Sequence, residues 1–413
     1  MKIKSKTVAV NVVMLYMMNF CQLLLPLITL PYLARVLSVD YYGVTSYIKS
    51  VMIYMTQIIE FGFLLSGTRE IVKANSDIHK ISKIVGKITE AKLILSLLSF
   101  CVLIVMTLTI PILRRHYLFS LLSFLPAFLD IFLFDYLFRG IEQMQIITLR
   151  FLLMKGTSCI LTFIFIKSDK DLLLIPILDI IGSLVAIMWV YFEVRKLNIK
   201  ICFVSLIKVI ASLKESFIYY ISNVASTAFG ALNTLIVGIF LSSKDVAFWG
   251  VIMTIVSGIQ SLYSPISDGI YPHMIKTKSL KLFYRTLGIF VPLLIIGCLS
   301  VYLLSPLILN LFGGVKYLVA AKYLRECVPL LFISFFTALF GWPVLGAIGK
   351  IKETTATTVI AGIVQVLGLG FLIVSKIFSI ESLIVLRIIS EFVMATLRIC
   401  CFVKYRDGFM AKK

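Results

Sequence analysis

Acidic residues are scarce in this 413-residue chain: 20 Asp and Glu stand against 40 Lys and Arg, and charged residues of both signs make up only 15%. A soluble domain carries about a quarter, so an ordinary soluble globule is excluded. Histidine is scarcer still, with three residues, His79, His116 and His273, too far apart for an HExxH or similar ligand spacing. Eight cysteines include no CxxC pair, and Cys21, Cys101, Cys159, Cys298, Cys327, Cys400 and Cys401 fall within apolar runs, where they read as core fillers. No metal, disulfide framework or cofactor is expected. A GxxxxGK[ST] loop is also missing, which excludes a built-in ATPase of that type.

What the chain has in abundance is apolar sequence: 60% hydrophobic residues and a mean hydropathy of +1.04. The apolar residues come in runs of about twenty, the length at which a helix crosses a bilayer core, whereas a barrel strand needs only about ten. The net charge of +20 lies in short segments between these runs, a pattern of membrane topology rather than of a nucleic-acid face. The first run follows Lys2, Lys4 and Lys6 and continues to about Leu33 without a small-residue cleavage site, so it reads as an uncleaved span.

The expected architecture is an all-α polytopic membrane protein of about twelve spans: 10–34, 44–66, 92–113, 117–138, 147–166, 172–192, 216–241, 247–267, 287–312, 327–347, 355–375 and 380–403. Cytoplasmic loops hold the excess of Lys and Arg. That rule places both termini inside, with Arg69 to Lys92, Arg195 to Lys214, Lys276 to Arg285, Lys350 and Lys352 on the same side. The inside segments 69–92 and 193–214 mix Ile, Val and Leu with Lys; they read either as amphipathic helices on the anionic leaflet or as solvated basic loops.

The two halves share a motif. Leu37-Ser38-Val39-Asp40-Tyr41-Tyr42-Gly43-Val44 aligns with the stretch Leu241 to Val251 if three residues are inserted, each giving Leu-Ser, a polar turn, two aromatics, Gly and Val. An even number of spans between the copies implies parallel repeats about an axis along the membrane normal. The division expected is a six-helix lobe over 1–200 and another over 201–413, facing a central cavity.

Ionisable residues inside spans are functional candidates because hydrocarbon tolerates them poorly. The set is Lys49, Glu60, Asp130, Asp135, Lys155, Asp179, Arg387, Glu391 and Arg398, with Arg35 and Arg139 near span ends. Arg387 and Glu391 are four residues apart and can pair within one helix; Arg35, Arg139 and Arg398 can snorkel to headgroups. Lys49 and Lys155 have no opposite charge three or four residues away, which points them at a hydrated cavity. A cavity holding cations suits an anionic headgroup such as a phosphate. Pro26, Pro31, Pro265, Pro272, Pro292, Pro306 and Pro343 lie in or at the ends of spans, where they kink helices.

The stretch PLITLPYLARVLSVDYYG (26–43), followed by Glu60-Phe61-Gly62-Phe63 and Gly67-Thr68-Arg69-Glu70-Ile71, resembles the start of Wzx-type polysaccharide flippases of the multidrug/oligosaccharidyl-lipid/polysaccharide exporter superfamily. Length, spans and halves extend the resemblance over the whole chain. It implies a non-enzymatic transporter of the bacterial inner membrane that moves an undecaprenyl-diphosphate-linked oligosaccharide between leaflets by alternating access. The implied partners are that lipid-linked glycan, membrane lipids and the polymerase and chain-length machinery of the same pathway, with no nucleic acid. On this reading Lys49, Lys155, Arg35, Arg139 and Arg387 form the cationic substrate site, and Glu60, Asp130 and Glu391 are ion-coupling or gating candidates. The alternatives are an ion-coupled multidrug or cation exporter of the same superfamily, a lipid-linked peptidoglycan precursor flippase, which usually carries two extra spans, and a membrane O-antigen polymerase or glycosyltransferase. That last class typically has a large periplasmic loop, and the longest outer connection here is about fifteen residues.

Overall fold

Backbone inside hydrocarbon has no water to bond, so each crossing segment satisfies its own N–H and C=O groups as a helix. The computed structural model describes residues 5–74, 77–202 and 204–409. Lys2, Lys4, Lys412 and Lys413, which contribute to the expected orientation, lie outside the described residues. Among the described residues every regular element is helical.

The first half begins with α1 (Ser5–Val36), which contains Pro26 and Pro31, then α2 (Val39–Glu60), α3 (Phe63–Lys73) and α4 (Ile78–Thr109). The short α5 (Pro111–Arg115) leads into α6 (Tyr117–Leu129) and α7 (Asp135–Gly140), followed by α8 (Met144–Phe165) and α9 (Leu174–Lys196). The second half has α10 (Leu206–Thr227) and α11 (Asn233–Phe240) joined by a π-helical turn, then α12 (Ser243–Ser261), α13 (Ser264–Thr277) and α14 (Leu280–Gly313). The short α15 (Ala321–Glu326) precedes α16 (Val328–Leu339), whose π-helical extension Phe340–Gly346 bends it, and α17 (Ile351–Val374) and α18 (Ile380–Lys404) close the chain.

The order of elements repeats. In each half a helix broken near its middle (α2–α3, α12–α13) is followed by a very long one of 32 or 34 residues, a second broken helix and a closing pair. The shared motif has one structural role in both places: Ser38 caps α2 by accepting from the backbone N–H of Tyr41, and Ser242 caps α12 by accepting from that of Asp245.

Among the described residues ten stretches are long and apolar enough to cross a bilayer. The other two predicted spans are also helical. The stretch 216–241 is interrupted by the π turn and has only Gly230–Phe240 as an apolar helix, while α18 carries Glu381, Arg387, Glu391, Arg398 and Lys404 among its apolar residues.

By its contacts the chain forms two compact units, residues 1–239 and 240–413. In the first, α8 packs on α9 and α1, and α3 on α7, around Phe63, Ile88, Leu137 and Phe138. In the second, α18 packs on α16 and α17.

The break between α2 and α3 places Phe61 and Gly62 in the left-handed region (φ +42° and +78°). Gly62 is required there twice, because a Cβ would also lie 2.7 Å from Tyr219 Cβ of α10. Phe61 stacks on Tyr220 at 4.6 Å and the Ser66 and Ser216 hydroxyls bond at 2.7 Å, fixing α10 against this break.

Two expectations are corrected. The described residues of 69–92 are neither a free surface helix nor a solvated loop: α3 ends at Lys73, Asp77 caps α4, and Ile81, Val85 and Ile88 are buried in the core as α4 begins. Backbone N–H groups of Lys80 and His79 hold the Asp77 carboxyl below the usual carboxylate range. Lys92, assigned above to a cytoplasmic loop, is buried in α4. Residues 193–214 likewise comprise the end of α9, an irregular connection and the start of α10. That connection lies so close to α4 that a Cβ on Gly86 would lie 1.9 Å from the Cys202 carbonyl oxygen.

Candidate functional site

The helical period puts Lys49, Thr56 and Glu60 on one face of α2, seven and eleven residues apart. Thr56, Gln57 and Glu60 line a cavity of about 480 Å³ in the N-terminal unit, together with Lys92 of α4, Asp130 and Asp135 of the α6–α7 break, Arg150 of α8 and Asn223 and Thr227 of α10.

Two ion pairs shape this cavity. Lys92, 3% exposed in its side chain, pairs with Glu60 and lies 5.5 Å from the centre of the Tyr136 ring. Arg150 grips Asp135 with both ends of its fork: Nε donates to Oδ1 at 2.7 Å and Nη2 donates to Oδ2. Asp130 has no salt-bridge partner among the described residues, although Arg150, Lys155, Glu60 and Asp135 all act on it electrostatically. A 3-10 turn from Asp130 to Leu133 and a left-handed Phe134 (φ +50°) break the helix here and present both aspartates to the cavity.

Lys49 and Lys155 are exposed although each lies more than a turn inside its helix. Asp179 of α9 and Lys155 both act electrostatically on Lys49, and Asp179 accepts a 2.5 Å hydrogen bond from Ser158. Neither lysine has a salt-bridge partner among the described residues. The two cations singled out by sequence are therefore brought together.

The polar side chains form one run from Lys49 through Asp179, Lys155, Asp130 and Arg150 to Asp135, Glu60 and Lys92, alternating in sign along most of its length. Such a run can hold an anionic group at its exposed lysine end and exchange partners among carboxylates at its buried end.

The other candidates lie elsewhere. Arg35 is exposed in the last turn of α1, and Arg139 is half-buried in the last turn of α7. Arg387 and Glu391 stand 3.8 Å apart on α18, the intrahelical spacing read from sequence. Arg398 does not snorkel. It is buried, with Nη1 donating to the Thr337 carbonyl, Nη2 to Thr358 Oγ1 at 2.9 Å and Nε to Thr357 Oγ1 at 3.3 Å.

Sequence reasoning missed Lys92 and Arg150, yet both carried a signal. Lys92 continues the buried stripe Ile81, Val85, Ile88 at helical spacing, and Arg150 falls between the buried Ile147 and Met154. Gln57, Asn223 and Thr227, neutral and unremarkable in sequence, had none.

The broken helices and the charged run inside apolar spans define a multi-pass membrane transporter. Residues 8–278 match the family described as "Polysaccharide biosynthesis protein". The chain belongs to that family, in agreement with its resemblance to the Wzx-type flippases.

It is 28% identical over 368 residues to a protein of Escherichia coli (strain K12) named "Putative O-antigen transporter", covering 86% of this chain and 88% of that one. A Shigella dysenteriae protein of the same name is 26% identical over 371 residues, covering 86% and 91%. The fold is similar to "Lipid II flippase MurJ, inward closed conformation", with a TM-score of 0.71 at 14% identity over 95% of this chain and 88% of that one. It is also similar to an inward-facing multidrug resistance MATE family transporter of the MOP superfamily, with a TM-score of 0.62 at 14% identity over 93% and 97%.

Proposed function

We propose that this protein is a flippase that carries an undecaprenyl-diphosphate-linked oligosaccharide, an O-antigen or capsule repeat unit, from the cytoplasmic to the periplasmic leaflet of a bacterial inner membrane. Family membership and the O-antigen transporter names of its relatives support the substrate class. The observation that carries the reading is the pair of exposed lysines, Lys49 and Lys155, inside the spans of α2 and α8. An ammonium group without a fixed carboxylate partner is available to a phosphate, and two of them match the spread charge of a diphosphate.

In this reading twelve helices with both termini cytoplasmic form lobes over 1–200 and 201–413. The lobes rock about a central cavity while the polyprenyl tail stays in lipid. Arg35, Arg139 and Arg387 complete the cationic substrate site, and Glu60, Asp130 and Glu391 couple transport to an ion gradient. The polymerase and chain-length machinery of the pathway take up the product.

The test is complementation. Lys49→Ala and Lys155→Ala, each in a strain deleted for the gene, are expected to abolish polymeric glycan at the surface while leaving the protein in the membrane. Full complementation by both variants overturns the assignment of the site.

One observation favours a second reading, a cation or multidrug exporter. The cavity holds three carboxylates, Glu60, Asp130 and Asp135, against two cations, Lys92 and Arg150. Transport of an organic cation by the reconstituted protein, with no movement of a lipid-linked diphosphate, would select it.

A further inference from the structure

Thr337, buried in α16, is held from two sides by α18. Its hydroxyl lies 2.5 Å from Glu391 Oε1, and its carbonyl accepts from Nη1 of Arg398, seven residues farther along the same helix. The carbonyl of residue 337 in a regular helix would accept from the N–H of residue 341, and that is where the backbone departs from helix, with Gly341 at ψ −115°. The Arg398 guanidinium packs against this break, since a Cβ on Gly341 would lie 2.8 Å from its Nη1. Pro343 two residues on removes a further N–H from the ladder.

The hydroxyl of Thr337 has one proton and two acceptors in reach: Glu391 Oε1, and the Ser334 carbonyl at 2.8 Å. Ionised Glu391, an acceptor only, takes that proton's hydrogen bond and leaves the Ser334 carbonyl without it. Protonated Glu391 donates its own O–H to Thr337 Oγ1, and the threonine proton turns to Ser334. One proton enters, none leaves, and the hydrogen bonding of α16 changes one turn before its bend, where threonine back-bonding to a helix carbonyl alters curvature.

The Glu391 carboxylate is buried beside two arginines. Its residue is 5% exposed, Oε1 receives a neutral hydroxyl, and Arg387 Nη1 stands 3.8 Å from Oε2, beyond hydrogen-bond reach. The other charged group facing it is Arg398, committed to α16 and α17. Nearby α17 supplies the neutral Gln365, which accepts from Ser390 at 2.8 Å. The Cys327 thiol acts on Arg387, and Glu381, about 15 Å from Glu391 along α18, clusters with Lys322 and Glu326 of α15.

We propose that Glu391, read through Thr337, is a proton-binding site of the C-terminal unit, and that its occupancy sets the bend of the helix formed by α16 and its π-helical extension. The inference rests on the coupling role proposed above for Glu391 but not on the identity of the cargo, so its test uses the protein alone.

The chain has three tryptophans, and Trp342, 51% exposed, sits in the bend itself. With 5-fluorotryptophan in the full chain in lipid nanodiscs, its fluorine resonance is assigned by Trp342→Phe. In the native chain that resonance is expected to move with pH along a one-proton curve. It is expected to stay flat in Glu391→Gln, to titrate again in Glu391→Asp, and to lose most of its excursion in Thr337→Val. The Trp189 and Trp249 resonances report that each variant is folded. A Trp342 resonance that titrates alike in the native and Glu391→Gln proteins, or in neither, or that fails to titrate in Glu391→Asp, overturns the proposal.

Discussion

Gln57 of α2 donates its side-chain amide to the hydroxyl of Thr227 in α10, across 170 residues of sequence. Thr227 in turn donates to the Asn223 carbonyl at 3.0 Å, and all three residues line the charged cavity. The bond ties the last turn of α10, just before the π turn, to the helix that carries Lys49 and Glu60. Replacing Thr227 by Val or Gln57 by Leu is expected to lower the thermal unfolding midpoint in detergent. The double variant should lose less than the sum, with a coupling of about 1 kcal/mol. Strictly additive losses in the double-mutant cycle would show that the two side chains do not interact.

The Arg150–Asp135 pair makes a stronger demand. Arg150 is 8% and Asp135 29% exposed in the side chain, so removing one partner strands a charge that water reaches poorly. Arg150→Met is expected to destabilise by about 3 kcal/mol, the lower end for a buried pair because Asp135 is partly hydrated. Arg150→Met combined with Asp135→Leu should recover much of that loss. Denaturant melts of the three variants decide it, and a double variant worse than Arg150→Met contradicts the stranded-charge account.

Asp130 and Glu60 share the cavity but differ in partnership. Glu60 is paired with Lys92, whereas Asp130 has no ion pair among the described residues. Glu60→Gln is therefore expected to lower thermal stability together with transport. Asp130→Asn should leave stability within about 0.5 kcal/mol of the native protein and still abolish the dependence of glycan export on the ion gradient. Export by Asp130→Asn that responds to the gradient as the native protein does would remove Asp130 from the coupling path.

These contrasts show what was legible in the sequence. Lys49 and Lys155 could be found because a lone cation inside an apolar run has no local partner, and the structure leaves both exposed and within each other's field. Spans were legible from run length alone, since hydrocarbon thickness sets it. Lys92 was not, because a lysine that follows Lys80, Lys83 and Lys87 looks like the last residue of a basic loop, and only its phase with Ile81, Val85 and Ile88 says otherwise. Arg398 resembled a snorkelling residue because its partners are a carbonyl freed by a helix bend and two threonines of another helix, neither of which charge spacing reveals. The π turns that open those bends are backbone events. Pro343 hints at one, but nothing in Ala228–Leu232 marks the other.

Glycines offer the cleanest test of the packing, because alanine adds one methyl group and favours helix. At Gly86 a Cβ would lie 1.9 Å from the Cys202 carbonyl oxygen, and at Gly182 2.3 Å from the Met154 carbonyl oxygen, both backbone atoms that cannot swing aside. Gly156 and Gly370, also helical, have nothing within 4 Å of the same position. Gly86→Ala and Gly182→Ala are each expected to cost about 2 kcal/mol or more, since the α4 contact with the 197–205 connection and the α8–α9 contact must open. Gly156→Ala and Gly370→Ala should be neutral or gain up to about 1 kcal/mol from helix propensity. Thermal unfolding of the four purified variants reads the difference directly. Equal effects at all four positions would mean that these helices approach less closely than the packing here requires.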